Sequence, residues 1–479
     1  MMKETSLPES LYSLVQSYFV TDSFSVLPVV RSGSPRQYYR IQANDKSIIG
    51  AHSENIVENK AFFSFQHHFQ AKGLRVPEIF AIHQDKKSWL LEDLGDASLY
   101  DLIPEEGVKP ENESLILKYE QVLKDLADFQ TEGHKGLDYS AAYPRVSFDE
   151  RAVSWDLNYF KYYFLKLFTE DFDEDILQDG FDKLMLEAMK PSGDFFMYRD
   201  FQSRNIMLKD DIPHYIDFQG GRKGPLAYDV VSLLYQSRAA IDEKVRKRLM
   251  DFYFDVISTK VNVVKADFSR EVKLFAFIRI LQVLGAYGFR GKIQDRPLFL
   301  KSIPKSIEYL RSLLPEIEQE YELFAFSSIL KKMIQSFDQQ QSSPRSPNLT
   351  VKVMSFSFLK GGLPADPSGN GGGHVFDCRA LPNPGRYEKY KQLTGLDAEV
   401  KSFLGAREEV DVFVSNAFKI VSQSIDNYVE RGFEHLMISF GCTGGQHRSV
   451  YCAERVAWEI KQNYCVNVQI VHYQKELGY

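Results

Sequence analysis

The stretch "YRDFQSRNIML" at residues 198–208, followed by "YIDFQ" at 215–219, sets an aspartate, an asparagine five positions on and a second aspartate inside a short apolar passage. Any one of them alone reads as a turn or cap residue, which is what isolated Asp and Asn usually are. Together, Asp200, Asn205 and Asp217 meet the needs of nucleotide-dependent phosphoryl transfer. That chemistry requires one carboxylate to orient and deprotonate an attacking hydroxyl, and oxygen ligands to hold magnesium on the phosphates. Asp200 is the expected base and Asn205 the expected metal ligand from the same loop. Asp217, on the strand-like "HYIDF", is expected to bind magnesium directly.

The register from Arg199-Asp200 to Asn205 parallels the kinase pattern H-R-D-x-x-x-x-N, with Asp217-Phe218-Gln219 standing where D-F-G is usual. Around it, in order, lie "GSPRQYYRI" (33–41), "GLRVPEIFA" (73–81), "WLLEDLGDASLYDLI" (89–103) and "GPLAYDVVSLL" (224–234). These blocks resemble the aminoglycoside phosphotransferase and choline kinase superfamily, and within it the anomeric kinases that phosphorylate N-acetylmuramate and N-acetylglucosamine at C1. The likeness covers most of residues 1–336. It implies an α+β bilobal protein-kinase-like domain with ATP and Mg2+ between the lobes. Ser34 and Arg36 would lie in a phosphate-facing hairpin, the backbone of Glu92, Asp93 and Leu94 beside the adenine, and Arg199 and Asp229 would brace the catalytic loop.

Two departures carry consequences. Tyr198 stands where the family has a histidine, which changes loop packing more than chemistry. No lysine occurs in "SIIGAHS" (47–53), where many of these kinases pair one with the ATP phosphates, so Arg36 or Arg40 is expected to meet that charge.

The whole chain is compatible with this reading. Its 479 residues, 44% hydrophobic and 26% charged, suffice for more than one core. A net charge of -7 argues against nucleic acid as the main partner and favours a small molecule. The N-terminus is interrupted by polar residues throughout, and "LFAFIRILQVLGAYGF" (274–289) contains Arg279 and is short for a membrane span, so it is expected to be a buried helix. Four irregularly spaced cysteines read as reduced thiols in a cytoplasmic protein.

The stretch "SFDQQQSSPRSPNLT" (336–350) is rich in Gln, Ser and Pro, and a flexible linker is expected over 337–350. Before it, short strand-like runs give way to long helix-period segments from about residue 113. After it, "KVMSFSF", "HVFDCRAL" and "HLMISFGCTGG" alternate with helical segments, which predicts a smaller, mostly parallel α/β sheet domain over 351–479.

In that second domain "HLMISFGCTGGQHRSVYCAERVAWEI" passes from an apolar strand through a glycine turn into a helix. Such a junction aims backbone N–H groups and the positive helix end at an anion, with Thr443, His447, Arg448 and Ser449 adding donors. Cys442 and Arg448 also satisfy Cys-x5-Arg-Ser, the loop pattern of cysteine-dependent phosphatases, so that chemistry and a purely structural turn stand as alternatives. The blocks "SFSFLKGGLP" (355–364), "FDCRALPNP" (376–384), "LTGLDAEVKSFL" (393–404) and "GCTGGQHRSVYCAE" (441–454) resemble, in order, the C-terminal half of the RapZ-type RNase adapter. The resemblance implies a glucosamine-6-phosphate-like effector, with Cys442, Thr443, Gly444, Gly445, His447 and Arg448 at the phosphate and Arg379 nearby. RapZ itself also binds a small RNA. From Val351 onward fourteen Lys and Arg face fourteen Asp and Glu, so no excess of positive charge supports that role here.

The expectation is therefore an ATP- and magnesium-dependent kinase acting on an amino sugar at its anomeric hydroxyl, fused to a sugar-phosphate-sensing domain. An inactive kinase fold serving as an RNA or protein adapter is one alternative. A kinase for an aminoglycoside or choline-like alcohol is the other, with the acidic "TEDFDEDILQD" (169–179) as a candidate wall for a cationic acceptor.

Overall fold

The structure is a computed structural model that describes residues 7–21, 23–29, 36–44, 46–169, 171–294, 296–342, 349–366, 368–369 and 372–473. The chain divides into two units, Met1–Phe337 and Asp338–Tyr479.

The first unit opens with α1 (Glu9–Phe19), β1 (Ser25–Val29), β2 (Gln37–Ala43), β3 (Lys46–His52), α2 (Ile56–Ala71), β4 (Ile79–Ile82) and β5 (Ser88–Glu92). The strands form an antiparallel sheet in the order β1-β2-β3-β5-β4. Period-two burial decides its faces. Tyr39, Ile41 and Leu90 pack with Leu11, Val15 and Phe19 of α1. Ala51, Trp89 and Leu91 point the other way, into the main core with Phe62, Phe65 and Phe69 of α2. The inner strand β5, between β3 and β4, is thus covered on both sides, as its run of apolar residues requires.

The larger lobe contains α3 (Glu113–Thr131), α4 (Glu150–Phe160), the single turn α5 (Lys166–Phe168), α6 (Glu174–Ala188), β6 (Phe195–Met197), β7 (Ile206–Lys209), β8 (Ile212–Tyr215) and β9 (Arg222–Gly224). It is completed by α7 (Leu226–Leu234), α8 (Glu243–Ser258), α9 (Lys265–Gly288), α10 (Ile303–Glu320) and α11 (Phe324–Ser342). The apolar run of 274–289 lies in α9 and just beyond it. Among the described residues, Lys265–Ile293 is the one helical stretch long and apolar enough to cross a membrane, and 67% of its most apolar window is buried. Gly288 lets the backbone after α4 lie directly on it, since a Cβ there would sit 1.8 Å from the Tyr163 carbonyl oxygen.

A tight hairpin then assembles the functional loops. β7 and β8 pair from Ile206↔Tyr215 to Lys209↔Ile212. The two connecting residues, Asp210 and Asp211, both have positive φ (52° and 65°), as the two-residue hairpin turn demands. The ladder is extended by Ile216 N–H donating to the Asn205 carbonyl at 3.0 Å, which sets Asp217 beside Asn205.

One expectation is corrected. α11 runs to Ser342, six residues into the stretch expected to be linker. Gln is a good helix former, and the first helix-breaking proline of that stretch is Pro344, so nothing local stops the helix at 337. Residues 343–348 lie outside the described residues.

The second unit carries β10 (Thr350–Ser357), β11 (His374–Asp377), α12 (Ala398–Gly405), α13 (Glu408–Glu430), β12 (His435–Cys442), α14 (Arg448–Asn463) and β13 (Asn467–His472). All strand pairs are parallel, in the order β11-β12-β10-β13. Val351, Val353, Ile438 and Phe440 form its core with Val414 and Val421 of α13 and Val456 and Ile460 of α14. The C-terminal ends of β10 and β12 lie side by side at Ser357↔Cys442, the edge where open parallel sheets present ligand sites.

Candidate functional site

In the first unit, the loop 198–205 is held from beneath by two buried carboxylates. Asp229, fully buried on α7, accepts from the N–H groups of Tyr198 (2.6 Å) and Arg199 (2.9 Å). Burial and the neighbouring Asp200 outweigh those two donors and push its carboxyl up to about 7. Asp156 of α4 grips Arg199 through two parallel bonds of 2.7 and 2.9 Å. Arg199 itself sits at φ 80°, a left-handed conformation that a non-glycine residue keeps only when its surroundings over-determine it. Tyr198, in the histidine position, is buried and donates its hydroxyl to the Ile216 carbonyl at 2.7 Å, tying the Asp200 loop to the Asp217 strand.

Above this base Asp200, Asn205 and Asp217 line one cleft of about 490 Å³. The Asn205 amide donates to the Asp200 carbonyl (2.9 Å) and to Asp217 Oδ2 (3.3 Å). Gln219 donates to Asp217 Oδ1 at 2.6 Å. These amides leave the Asn205 side-chain oxygen and further lone pairs of Asp217 directed at hard-cation chemistry. Asp200 is 46% exposed and lies 3.5 Å from Arg279 of α9. Burial within the lobe works against its charge, but Arg279, Arg199, Arg204 and Arg222 prevail and hold the carboxyl below its ordinary value.

The opposite wall comes from the sheet. Tyr38, Arg40, Ile49 and Leu91 line the cleft, as do Glu92, Asp93 and Leu94 at the strand exit. Glu92 is paired with Lys209 at 2.5 Å. Arg40 donates to both oxygens of Asp93 (2.7 and 3.0 Å) and to Asp96 (2.9 Å), so its guanidinium is already engaged. Arg36 is buried, 3.1 Å from Glu58 of α2 and 5.8 Å from the rings of Phe62 and Trp89. β3 places Ala51 opposite Trp89, with no lysine between Ser47 and His52, and Arg36 brings a guanidinium to the ring of Trp89 from just before β2. Ser34 lies outside the described residues.

In the second unit the glycine loop follows β12. Gly445 turns at φ 69° and His447 precedes the first turn of α14. The side chains here face inward. His447 Nε2 bonds the Tyr390 carbonyl at 2.8 Å, and Arg448 donates to the carbonyls of Arg379 (2.7 Å) and Leu381 (3.0 Å). The Cys442 thiol is buried in the core, 3.2 Å from the Ser449 hydroxyl. A cavity of about 400 Å³ is lined by Arg379, Asn383, Arg386, Glu409, Thr443 and Arg448, among others. Arg379 is held by Asp377 at 2.7 Å and covers the ring of Phe358. Cys442, Gly444, Gly445, His447 and Ser449 shape the loop without lining this cavity.

Comparison with known proteins agrees with this division. Residues 27–260 match the model of the phosphotransferase enzyme family, and residues 349–476 match that of the RapZ C-terminal domain. The chain joins a phosphotransferase-family domain to a RapZ C-terminal domain. A nucleotide-binding protein of Fusobacterium nucleatum subsp. nucleatum is 29% identical over 254 residues, 50% of this chain and 81% of that protein. One of Bacillus cytotoxicus is 35% identical over 193 residues, 39% of this chain and 62% of that protein, so the chain spans less than two thirds of the latter's length. Among solved structures, the aminoglycoside phosphotransferase APH(4)-Ia shares 14% identity over 63% of this chain and 98% of its own, with a TM-score of 0.43. The choline kinase of Cryptosporidium parvum Iowa II shares 13% over 65% and 93%, with the same score.

Several residues of the phosphotransferase-family domain's cleft were not singled out from sequence. Arg279 belongs to a helix read as plain core, 79 positions after the aspartate it faces. Arg204 and Arg290 line the cleft, and Arg222 lies buried beside it, its guanidinium brought down to about 10 by burial and by Arg199. Asp156 carried no signal beyond its place on a helix. An arginine inside an otherwise apolar helix is the one local hint that was available, since a buried charge requires a partner. The acidic stretch 169–179 behaves differently from the expectation for a cationic acceptor. Asp173 caps α6, Glu174 binds Lys161, and none of its described residues lines the cleft.

Proposed function

We propose that the first unit is an ATP- and Mg2+-dependent kinase for an amino sugar, N-acetylmuramate or N-acetylglucosamine, which transfers the terminal phosphoryl group to the anomeric hydroxyl. The observation that carries this reading is the convergence of Asp200, Asn205 and Asp217 in one cleft, with Asp200 kept ionised by surrounding arginines. The nucleotide would lie against Ile49, Leu91 and the chain from Glu92 to Leu94. Asn205 and Asp217 suit magnesium, because a small hard cation bound with substrate phosphates needs only one or two protein oxygens. When bound, it would neutralise charge on the phosphates.

The residues of the chain divide the remaining work. Asp200 accepts the proton of the anomeric hydroxyl as the oxygen attacks phosphorus, and the bond to the departing nucleoside diphosphate breaks. Asp229, Asp156 and Arg199 keep that loop rigid, so the base is positioned before substrate arrives. Arg279 keeps Asp200 ionised and steady. The second unit binds a sugar phosphate in the cavity of Arg379, Thr443 and Arg448, and would report its level to the kinase.

The test is phosphorus NMR of the full chain with ATP, magnesium and a panel of sugars and simple alcohols, alongside Asp200→Asn. A sugar 1-phosphate should appear, and kcat should fall about 10²- to 10⁴-fold in the variant. ATP consumption equal in both proteins with every acceptor would end the kinase reading.

A further inference from the structure

The charges lining the kinase cleft are unevenly matched. At the strand-exit end every carboxylate has a cation: Glu92 has Lys209, and Asp93 and Asp96 share Arg40. At the other end Asp200 faces Arg279, and Asp217 is held by the amides of Asn205 and Gln219. Two cations remain. Arg204 is exposed on the catalytic loop, and no hydrogen bond or ion pair engages its side chain among the described residues. Arg290, in the turn that continues α9, is half-buried, and its guanidinium rests 5.2 Å from the ring of Phe299 with no carboxylate partner among the described residues. Burial and then Arg204 lower the pKa of Arg290 while Tyr159 and Asp200 act to raise it, as expected of two guanidinium groups that share one cleft with the Asp200 carboxylate.

Their position assigns them to the acceptor rather than to the nucleotide. The nucleotide wall is the sheet and the segment 92–96, whereas Arg204 lies four residues after the base and Arg290 two residues past the helix that supplies Arg279. An acceptor whose hydroxyl reaches Asp200 enters the cleft that both arginines also line. Paired guanidinium groups in a half-buried site suit a carboxylate or phosphate, whose oxygens they can bind with charge-assisted bonds. A cationic alcohol would meet repulsion in the same place.

We propose that Arg204 and Arg290 form a subsite for an anionic substituent of the acceptor, so that the enzyme selects acid-bearing amino sugars over neutral or cationic alcohols. The inference rests on the kinase reading above. It is tested with full-length wild type, Arg204→Gln, Arg204→Lys and Arg290→Gln, varying ATP and each of three acceptors: N-acetylmuramate (carboxylate), N-acetylglucosamine 6-phosphate (phosphate) and N-acetylglucosamine (neutral).

In wild type, at least one acid-bearing sugar should exceed the neutral one in kcat/KM. Either Gln variant should lower kcat/KM for that sugar about 10- to 100-fold, the loss expected for a charged hydrogen bond. Arg204→Lys should recover part of it, and KM for ATP should hold within about 3-fold. Equal use of neutral and acidic sugars by wild type would overturn the proposal, and so would a rise in KM for ATP in the Gln variants with every acceptor, which would place the arginines at the nucleotide phosphates.

If wild type phosphorylates none of them, the kinase reading fails separately. Calorimetric binding of the same sugars to wild type and Arg204→Gln then decides the subsite. A preference for acid-bearing sugars that is lost in the variant supports it, and binding without that loss overturns it.

Discussion

The loop 198–205 of the first unit and the glycine loop of the second each follow a strand and each display charged side chains, yet they use them in opposite ways. At 198–205 the bracing is done by carboxylates beneath the loop, Asp229 and Asp156, and the motif residues Asp200, Asn205 and Asp217 are left facing the cleft. At 442–449 the motif residues brace themselves. His447 and Arg448 turn to the carbonyls of Tyr390, Arg379 and Leu381, Cys442 packs in the core, and the cavity is left with Thr443 and one side of Arg448. A residue in a motif is therefore a tool or a brace according to whether something else holds its loop. The contrast also bears on the cysteine-phosphatase alternative, because a buried thiol among core residues is poorly placed to attack a ligand in that cavity.

The comparison is most strongly tested at the braces. Asp156→Ala should cost the first unit about 3–5 kcal/mol, because it leaves the buried guanidinium of Arg199 without its carboxylate. Urea unfolding followed by tryptophan fluorescence would measure it, and an unchanged midpoint would mean that the loop is held otherwise. In the second unit Arg448→Met should cost about 2–3 kcal/mol by orphaning two carbonyls, and should also abolish phosphate binding by calorimetry. Thr443→Val should weaken that binding while leaving the unfolding midpoint in place. If Arg448→Met spared stability and lost only the ligand, Arg448 would be a tool after all.

A smaller effect follows from protonation. The Asp229 carboxyl is raised to about 7, so between the unfolded value of about 4 and that point the folded chain holds a proton the unfolded chain releases. Its stabilising contribution is present in acid and lost as pH rises through this window. Asp200 and Asp93, both held below their ordinary values, act in the reverse sense and lose theirs as pH falls. Asp229→Asn should therefore flatten the decline of first-unit stability between about pH 4 and 7, which a series of melts would record. The least change is expected at Arg40→Ala, about 1–2 kcal/mol, since that arginine binds both oxygens of the largely buried Asp93 and reaches the exposed Asp96. A loss of several kcal/mol on melting the variant would show that Arg40 holds the sheet edge.

Much of the cleft was readable because its parts are close in sequence. Asp200, Asn205 and Asp217 span eighteen residues joined by one tight hairpin, so local order alone predicts that they meet. The arginines were not readable. Arg279 and Arg290 approach the loop only because α9 packs across the lobe, helped by a glycine that admits the backbone of residue 163. Arg40 shows the same limit: it lines the cleft, but its pairing with Asp93 and Asp96, more than fifty residues away, carried no local signal.

The sequence by itself determined the element order, the two-domain plan, the parallel sheet of the second unit and the clustering of the loop residues, because periodicity, turn chemistry and short-range spacing are local properties. Only the tertiary structure decided which charges neutralise one another and which motif side chains face a cavity. Those outcomes depend on burial and on contacts between distant segments, where an ionised group must find a partner that no local pattern names.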